Sequence, residues 1–141
     1  MMNEATVTKL MEMRLAAMSE AFRQQMKDST FGELAFEERF GLLVDAEWSR
    51  RKSNRLSRLI RKADLHFVNA AIEDIEYHTD RKLDKAQITR LSTCNYIAEK
   101  HNIIILGASG AGKTYLSCAF GVAACRNFYT VKYVRLPELL N

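Results

Sequence analysis

The stretch Leu106-Gly107-Ala108-Ser109-Gly110-Ala111-Gly112-Lys113-Thr114 constrains what this chain can fold into more than any other. It follows directly on the run Asn102-Ile103-Ile104-Ile105-Leu106 and carries the spacing Gly-x-x-x-x-Gly-Lys-Thr. Each residue type has a physical reason to stand where it does. Glycine lets the backbone take positive φ and approach a ligand with no Cβ in the way. Successive amides then converge on an anion, backed by the positive end of the helix that follows. A lysine at position 113 supplies a compact charge for β- and γ-phosphates, and the Thr114 hydroxyl is placed to ligate Mg2+. The candidate nucleotide contacts are therefore Gly107, Ala108, Ser109, Gly110, Ala111, Gly112, Lys113, Thr114 and Tyr115. A flexible glycine turn beside a solvated lysine is the plainer alternative, and the flanking pattern weighs against it.

That pattern changes period on either side of the loop. Ile103-Ile104-Ile105-Leu106 is a continuous apolar run, as in a strand covered on both faces in a parallel sheet. From Lys113 to about Phe128, the residues Leu116, Ala119, Phe120, Ala123 and Ala124 recur at helical spacing. Tyr129–Val134 (YTVKYV) is rich in β-branched and aromatic residues and reads as a second strand. Strand, loop, helix and strand predict one βαβ unit with a right-handed crossover, hence an α/β fold class.

The residues before it read differently. Val7, Met11, Leu15, Met18, Phe22 and Met26 step by three and four, which predicts an amphipathic helix from Glu4 to about Asp28, its stripe packed in the core in preference to forming a surface for a partner helix. A second helix begins near Phe36, carries Phe36, Phe40, Leu43 and Trp48, and runs on through Leu56, Leu59, Ile60 and Ala63. A further helix is expected from about Asp84 to Lys100, burying Ile88, Leu91, Tyr96 and Ile97. With a linker near 78–84, the chain divides into a helical domain at 1–80 and the start of a nucleotide-binding domain at 81–141. No apolar run approaches the roughly 20 residues of a membrane-spanning helix. Three cysteines without CxxC spacing favour reduced thiols in a cytoplasm. His66, His78 and His101 show no metal-ligand spacing, among themselves or with the cysteines.

Charge is concentrated in one place. Arg50–Lys62 (RRKSNRLSRLIRK) holds seven of the 21 basic residues and no acid, leaving 14 basic against 17 acidic residues elsewhere. Arg51, Arg55, Arg58 and Lys62 step by four, three and four, so they share one helical face, flanked by Arg50 and Arg61. Such a row can span the phosphates of double-stranded DNA. It can also be a solvated helix face, or pair in part with Asp45, Glu47 and Asp64.

Hydrolysis needs an acidic residue at the end of a later strand. After Thr114 the only carboxylate side chain is Glu138, in RLPELLN, and it follows no apolar strand. The expectation is that the chain stops inside its catalytic domain, and no catalytic residue is assigned.

Taken in order, the segments FEERFGLLVDAEWSRRKSNRLSRLIRKADL, AAIEDIEY and LDKAQITRLSTCNYIAEKHNIIILGASGAGKTYLSCAFGVAACRNFYTVKYVRLPELL resemble the IstB-type helper ATPases of insertion-sequence transposons. These are relatives of the DnaC helicase loaders within the AAA+ group. The resemblance covers essentially 1–140, most specifically Glu47–Lys62 and Asn102–Tyr133. It implies a helical N-terminal domain followed by an AAA+ domain, ATP with Mg2+ as cofactor, homo-oligomers on duplex DNA, and a partner transposase. It makes Gly107–Thr114 the Walker A site and the basic residues of 50–62 a DNA contact. The Walker B acids, sensor residues and arginine finger of such proteins would lie beyond Asn141, and Ala108 stands where many carry proline. A different class of function stays open: a non-enzymatic DNA- or partner-binding helical module whose phosphate loop is vestigial. A small P-loop kinase is disfavoured, since such enzymes place the loop near the chain start.

Overall fold

Turns that no glycine or proline announces divide the first helical pattern. The structure, a computed structural model, describes residues 2–78 and 81–140. In it α1 spans Met2–Glu12 and α2 spans Ala16–Lys27, where one continuous helix was expected. Leu15 N–H donates to the Leu10 carbonyl at 2.8 Å and Arg14 N–H to the Met11 carbonyl at 3.0 Å. Those paired bonds close a helix on a left-handed residue, here Arg14 at φ 63°. α2 then packs against α1. Val7 and Ala17 are buried, whereas Met11 and Met26 of the expected stripe remain exposed.

The chain forms two compact units, Met1–Asn54 and Arg55–Asn141, and α3, Phe36–Ala63, runs through both. In the first unit, α2 begins at Leu15, whose side chain cannot cap it. Glu47 of α3 takes over that role. Its Oε1 accepts from the Ala17 amide at 3.1 Å and the Met18 amide at 3.3 Å, while Oε2 accepts from Arg51 Nε at 2.9 Å. Burial pushes the Glu47 carboxyl up, but the Arg51 guanidinium and the two amides outweigh it and hold the group below its ordinary 4.5. A carboxyl depressed by folding contributes stability above its unfolded value, and loses it as pH falls through the folded one. We therefore expect the urea midpoint of this unit to drop as pH falls below 4.5, read by fluorescence of Trp48, the chain's single tryptophan. Glu47→Gln should cost about 1–2 kcal/mol at pH 7 and flatten that pH dependence. An unchanged acid limb in the variant would refute this capping role.

In the second unit, α6 (Lys113–Arg126) is the central element. One side presents Cys118, Ala119, Val122 and Cys125 to Ala63, Leu65 and Ala70, with Leu56, Leu59 and Ile60 of α3 packed alongside. A second side sets Leu116 and Phe120 against Ile88 of α4, Lys85–Ser92. A third places Ala123 and Ala124 beside Cys94. Three sides of the helix are therefore covered, with Thr114, Ser117 and Arg126 left exposed. Gly121 permits a close approach: a Cβ there would lie 3.0 Å from Leu65 Cδ2. The single helix expected over 84–100 is two, α4 and α5 (Asn95–Ala98), because Cys94 turns left-handed at φ 65°. Asp84 caps α4 by accepting from the Ala86 amide at 3.0 Å. The short α7 spans Leu136–Leu139. The expected linker near 78–84 includes Thr79 and Asp80, which lie outside the described residues.

The α/β expectation is overturned. Among the described residues there is no β-strand, so no βαβ unit and no right-handed crossover. A run covered on both faces would bury all its side chains, yet Ile104 is 81% and Leu106 88% exposed, with only Ile103 and Ile105 half-buried. Tyr129–Val134 alternates in the same way, turning Tyr129, Val131 and Tyr133 inward. Each segment lays one row of side chains on the core around α6, through Ile105 on one and Val131 on the other. A strand requires a lateral partner to complete its ladder. Tyr133 N–H spends its donor on the Ala63 carbonyl at the end of α3, at 2.8 Å, instead of on a neighbouring strand. No helix among the described residues is long and apolar enough to cross a membrane.

Candidate functional site

The loop between Leu106 and α6 is shaped by two glycines and one helix start. Gly110 stands at φ 80° and Gly112 at φ 95°, conformations that L side chains rarely adopt. Gly112 is the residue before α6, and no side chain caps that end. The first bond of the helix runs from the Leu116 amide to the Gly112 carbonyl at 3.0 Å. The amides of Lys113, Thr114 and Tyr115 thus have no acceptor within their own helix. They stand at its positive end.

Lys113 Nζ donates back across the loop to the Gly107 carbonyl, and a Cβ on Gly107 would meet Lys113 Cδ at 3.7 Å. Ala111 N–H closes a turn on the Ala108 carbonyl at 3.2 Å. The loop lines a cleft of about 700 Å³ together with Glu76, His78, Arg81 and Leu83. That volume lies within the range of small-molecule sites. Tyr115 faces elsewhere: its hydroxyl accepts from the Ala71 amide at 3.3 Å and its ring packs 5.8 Å from Phe67. Thr114 is exposed on the first turn of α6, beside Lys113.

Arg81 was not foreseen, because TDRKLDKAQ reads only as a polar connection. Its Nη1 donates to the Glu76 carbonyl at 2.9 Å and its Nη2 to the Ala111 carbonyl at 3.1 Å. Nothing local in a sequence marks an arginine that bonds a loop 30 residues away.

The basic residues at 50–62 of α3 are exposed but not equivalent. Arg50 pairs with Glu20 at 3.4 Å. Arg51 is bound to Glu47, and its Nη2 also donates to the Arg14 carbonyl at 3.2 Å. The Arg55 guanidinium lies over the Phe128 ring, 5.1 Å from its centre. Arg58, Arg61 and Lys62 complete the exposed row on the last turns of the helix.

Comparison with known proteins places the chain in a family. The profile described as IstB-like ATP binding protein matches residues 8–141. A Pseudomonas fluorescens protein whose name gives it as an ATP-binding protein of insertion sequence IS1162 is 38% identical over 99% of this chain and 61% of its own length. A Sinorhizobium fredii protein named for insertion-sequence ATP binding is 37% identical over 99% of this chain and 56% of its own. A Geobacillus stearothermophilus relative, named for ATP binding in insertion sequence IS5376, is 24% identical over 92% of this chain and 51% of its own. The chain thus spans between half and two thirds of the length of these relatives.

Proposed function

This chain belongs to the IstB-like ATP binding protein family, and from that premise we propose that it is an ATP-binding helper of insertion-sequence transposition, one that binds duplex DNA and assists a partner transposase. The observation that carries the nucleotide reading is the arrangement around Gly112: left-handed glycines, three helix-start amides and the Lys113 ammonium around one cleft. Those groups suit a polyphosphate. Backbone amides and Lys113 would take its oxygens, and the Thr114 hydroxyl would reach the accompanying Mg2+. Calorimetric titration of the full chain with Mg-ATP tests this, and absence of saturable binding would refute it.

The DNA reading rests on Arg55, Arg58, Arg61 and Lys62. Arg51 is committed to the buried Glu47, and withdrawing it would leave that carboxylate without its charged partner. Arg55, Arg58, Arg61 and Lys62 are exposed. Each phosphate contact releases counterions, so affinity for a mixed-sequence duplex should fall steeply with salt. Reversing both Arg55 and Arg58 to glutamate is expected to weaken duplex binding by about 100-fold at low salt and to flatten that salt dependence. Fluorescence anisotropy against a labelled duplex measures both. A double variant that binds within about threefold of the parent would refute the assignment. If Lys113→Ala left every activity of the chain intact, the helical binding module with a vestigial loop would be the better reading.

A further inference from the structure

Arg81 stands where a cation is electrostatically unwelcome unless an anion is expected. Its guanidinium sits against the amino end of α6: a Cβ on Gly112 would lie 3.0 Å from its Nη2. That end already carries the positive pole of the helix and the Lys113 ammonium. Like charges lining one cleft repel, and a bound anion relieves that repulsion. Glu76 is the one acid that lines the cleft among the described residues, and its Oε2 is engaged with His78 Nε2 at 2.9 Å. The guanidinium is held by main-chain carbonyls, those of Glu76 and Ala111. Carbonyl acceptors fix its position without neutralising it. Of its five N–H donors, two are committed in this way.

We propose that Arg81 is a second phosphate-binding cation of this cleft, fixed in place by the Glu76 and Ala111 carbonyls and acting with Lys113 on a nucleoside polyphosphate. The inference rests on reading Gly107–Thr114 as a nucleotide loop. It also accounts for Gly112 in a second way, since a side chain there would displace the guanidinium as well as strain the backbone. Charge at this position favours ligands with more phosphates, because each added phosphate brings further negative charge into the cleft.

The test is calorimetric titration of the full chain and of Arg81→Ala, Arg81→Lys, Arg81→Gln and Lys113→Ala with Mg-ATP, Mg-ADP and AMP. Arg81→Ala should weaken Mg-ATP by about tenfold or more and AMP by less than about threefold. Arg81→Lys, which keeps the charge, should recover most of the loss. Arg81→Gln, which can still donate to a carbonyl but is neutral, should behave like alanine. Equal loss for all three nucleotides, or rescue by glutamine as good as by lysine, would show a residue that only props the loop and would overturn the proposal. Should Lys113→Ala lose Mg-ATP while Arg81→Ala keeps it, the proposal for Arg81 alone fails. Should the parent and Lys113→Ala bind Mg-ATP alike, the nucleotide reading of the loop fails, and Arg81 with it.

Discussion

Lys113→Ala is expected to weaken Mg-ATP binding by about 100-fold or more, equivalent to about 2.7 kcal/mol. The lysine is the one full charge carried on the loop itself, half-buried at the start of α6 and donating to the Gly107 carbonyl. That bond is an internal placeholder of modest net worth, about 1 kcal/mol. A phosphate oxygen accepts from the same ammonium and adds the attraction between two full opposite charges. Loss of the side chain therefore removes attraction to the ligand while costing the ligand-free fold little. Urea unfolding of the variant without nucleotide should match the parent, which separates a binding defect from a folding one. Lys113→Arg should not restore affinity, because a planar guanidinium is a poor substitute for a compact ammonium inside a loop this tight. A variant that binds Mg-ATP within about threefold of the parent would remove the basis for the nucleotide site.

Phe120→Ala should produce the largest loss of stability, about 3–5 kcal/mol. Phe120 is 6% exposed and packs with Ile88 and Leu116, with Leu83, Leu91 and Ile105 around them. Three separate segments meet on this ring, and none can close the gap alone. Ile88 is held on a helix capped by Asp84, and Leu116 belongs to the same rigid helix as the deleted ring. The cavity would persist, so the cost adds a void term to the lost transfer energy. Chemical denaturation followed by far-ultraviolet circular dichroism measures it. Phe120→Leu serves as a milder companion if the alanine variant does not fold, with an expected loss of about 1–2 kcal/mol. A loss below about 1 kcal/mol for Phe120→Ala would mean that α6 is not the centre of this unit's core.

Legibility in the sequence followed the range of the interactions responsible. The loop glycines at 110 and 112 are local requirements, and both take the left-handed backbone that the spacing implies. Leu116, Ala119, Phe120, Ala123 and Ala124 are all buried, as their period along α6 predicts. α3 starts at Phe36 and continues through the basic segment, also as its periodicity indicates. The helix breaks at Arg14 and Cys94 left no such mark, because residues other than glycine adopted positive φ there. Phe40 and Trp48 read as members of an apolar face, yet are 51% and 57% exposed. The strands failed for a different reason. A β-branched run states a local preference, but a ladder is a contract with a distant segment, and neither 103–106 nor 129–134 finds one among the described residues. Arg81 and Glu47 act on partners 30 residues away, and no short-range pattern reports that.

The enclosure of α6 has a mechanical consequence for any anion caught at its amino end. A phosphate gripped by the amides of residues 113–115 would be tied to the same rod that carries Cys118, Val122 and Cys125 into the middle of the packing. Opening of the mouth would then work against the same packing that holds the interior. Occupancy at the rim would be felt as slower amide exchange all the way to Arg126, with the bound anion serving as the last stone of the wall.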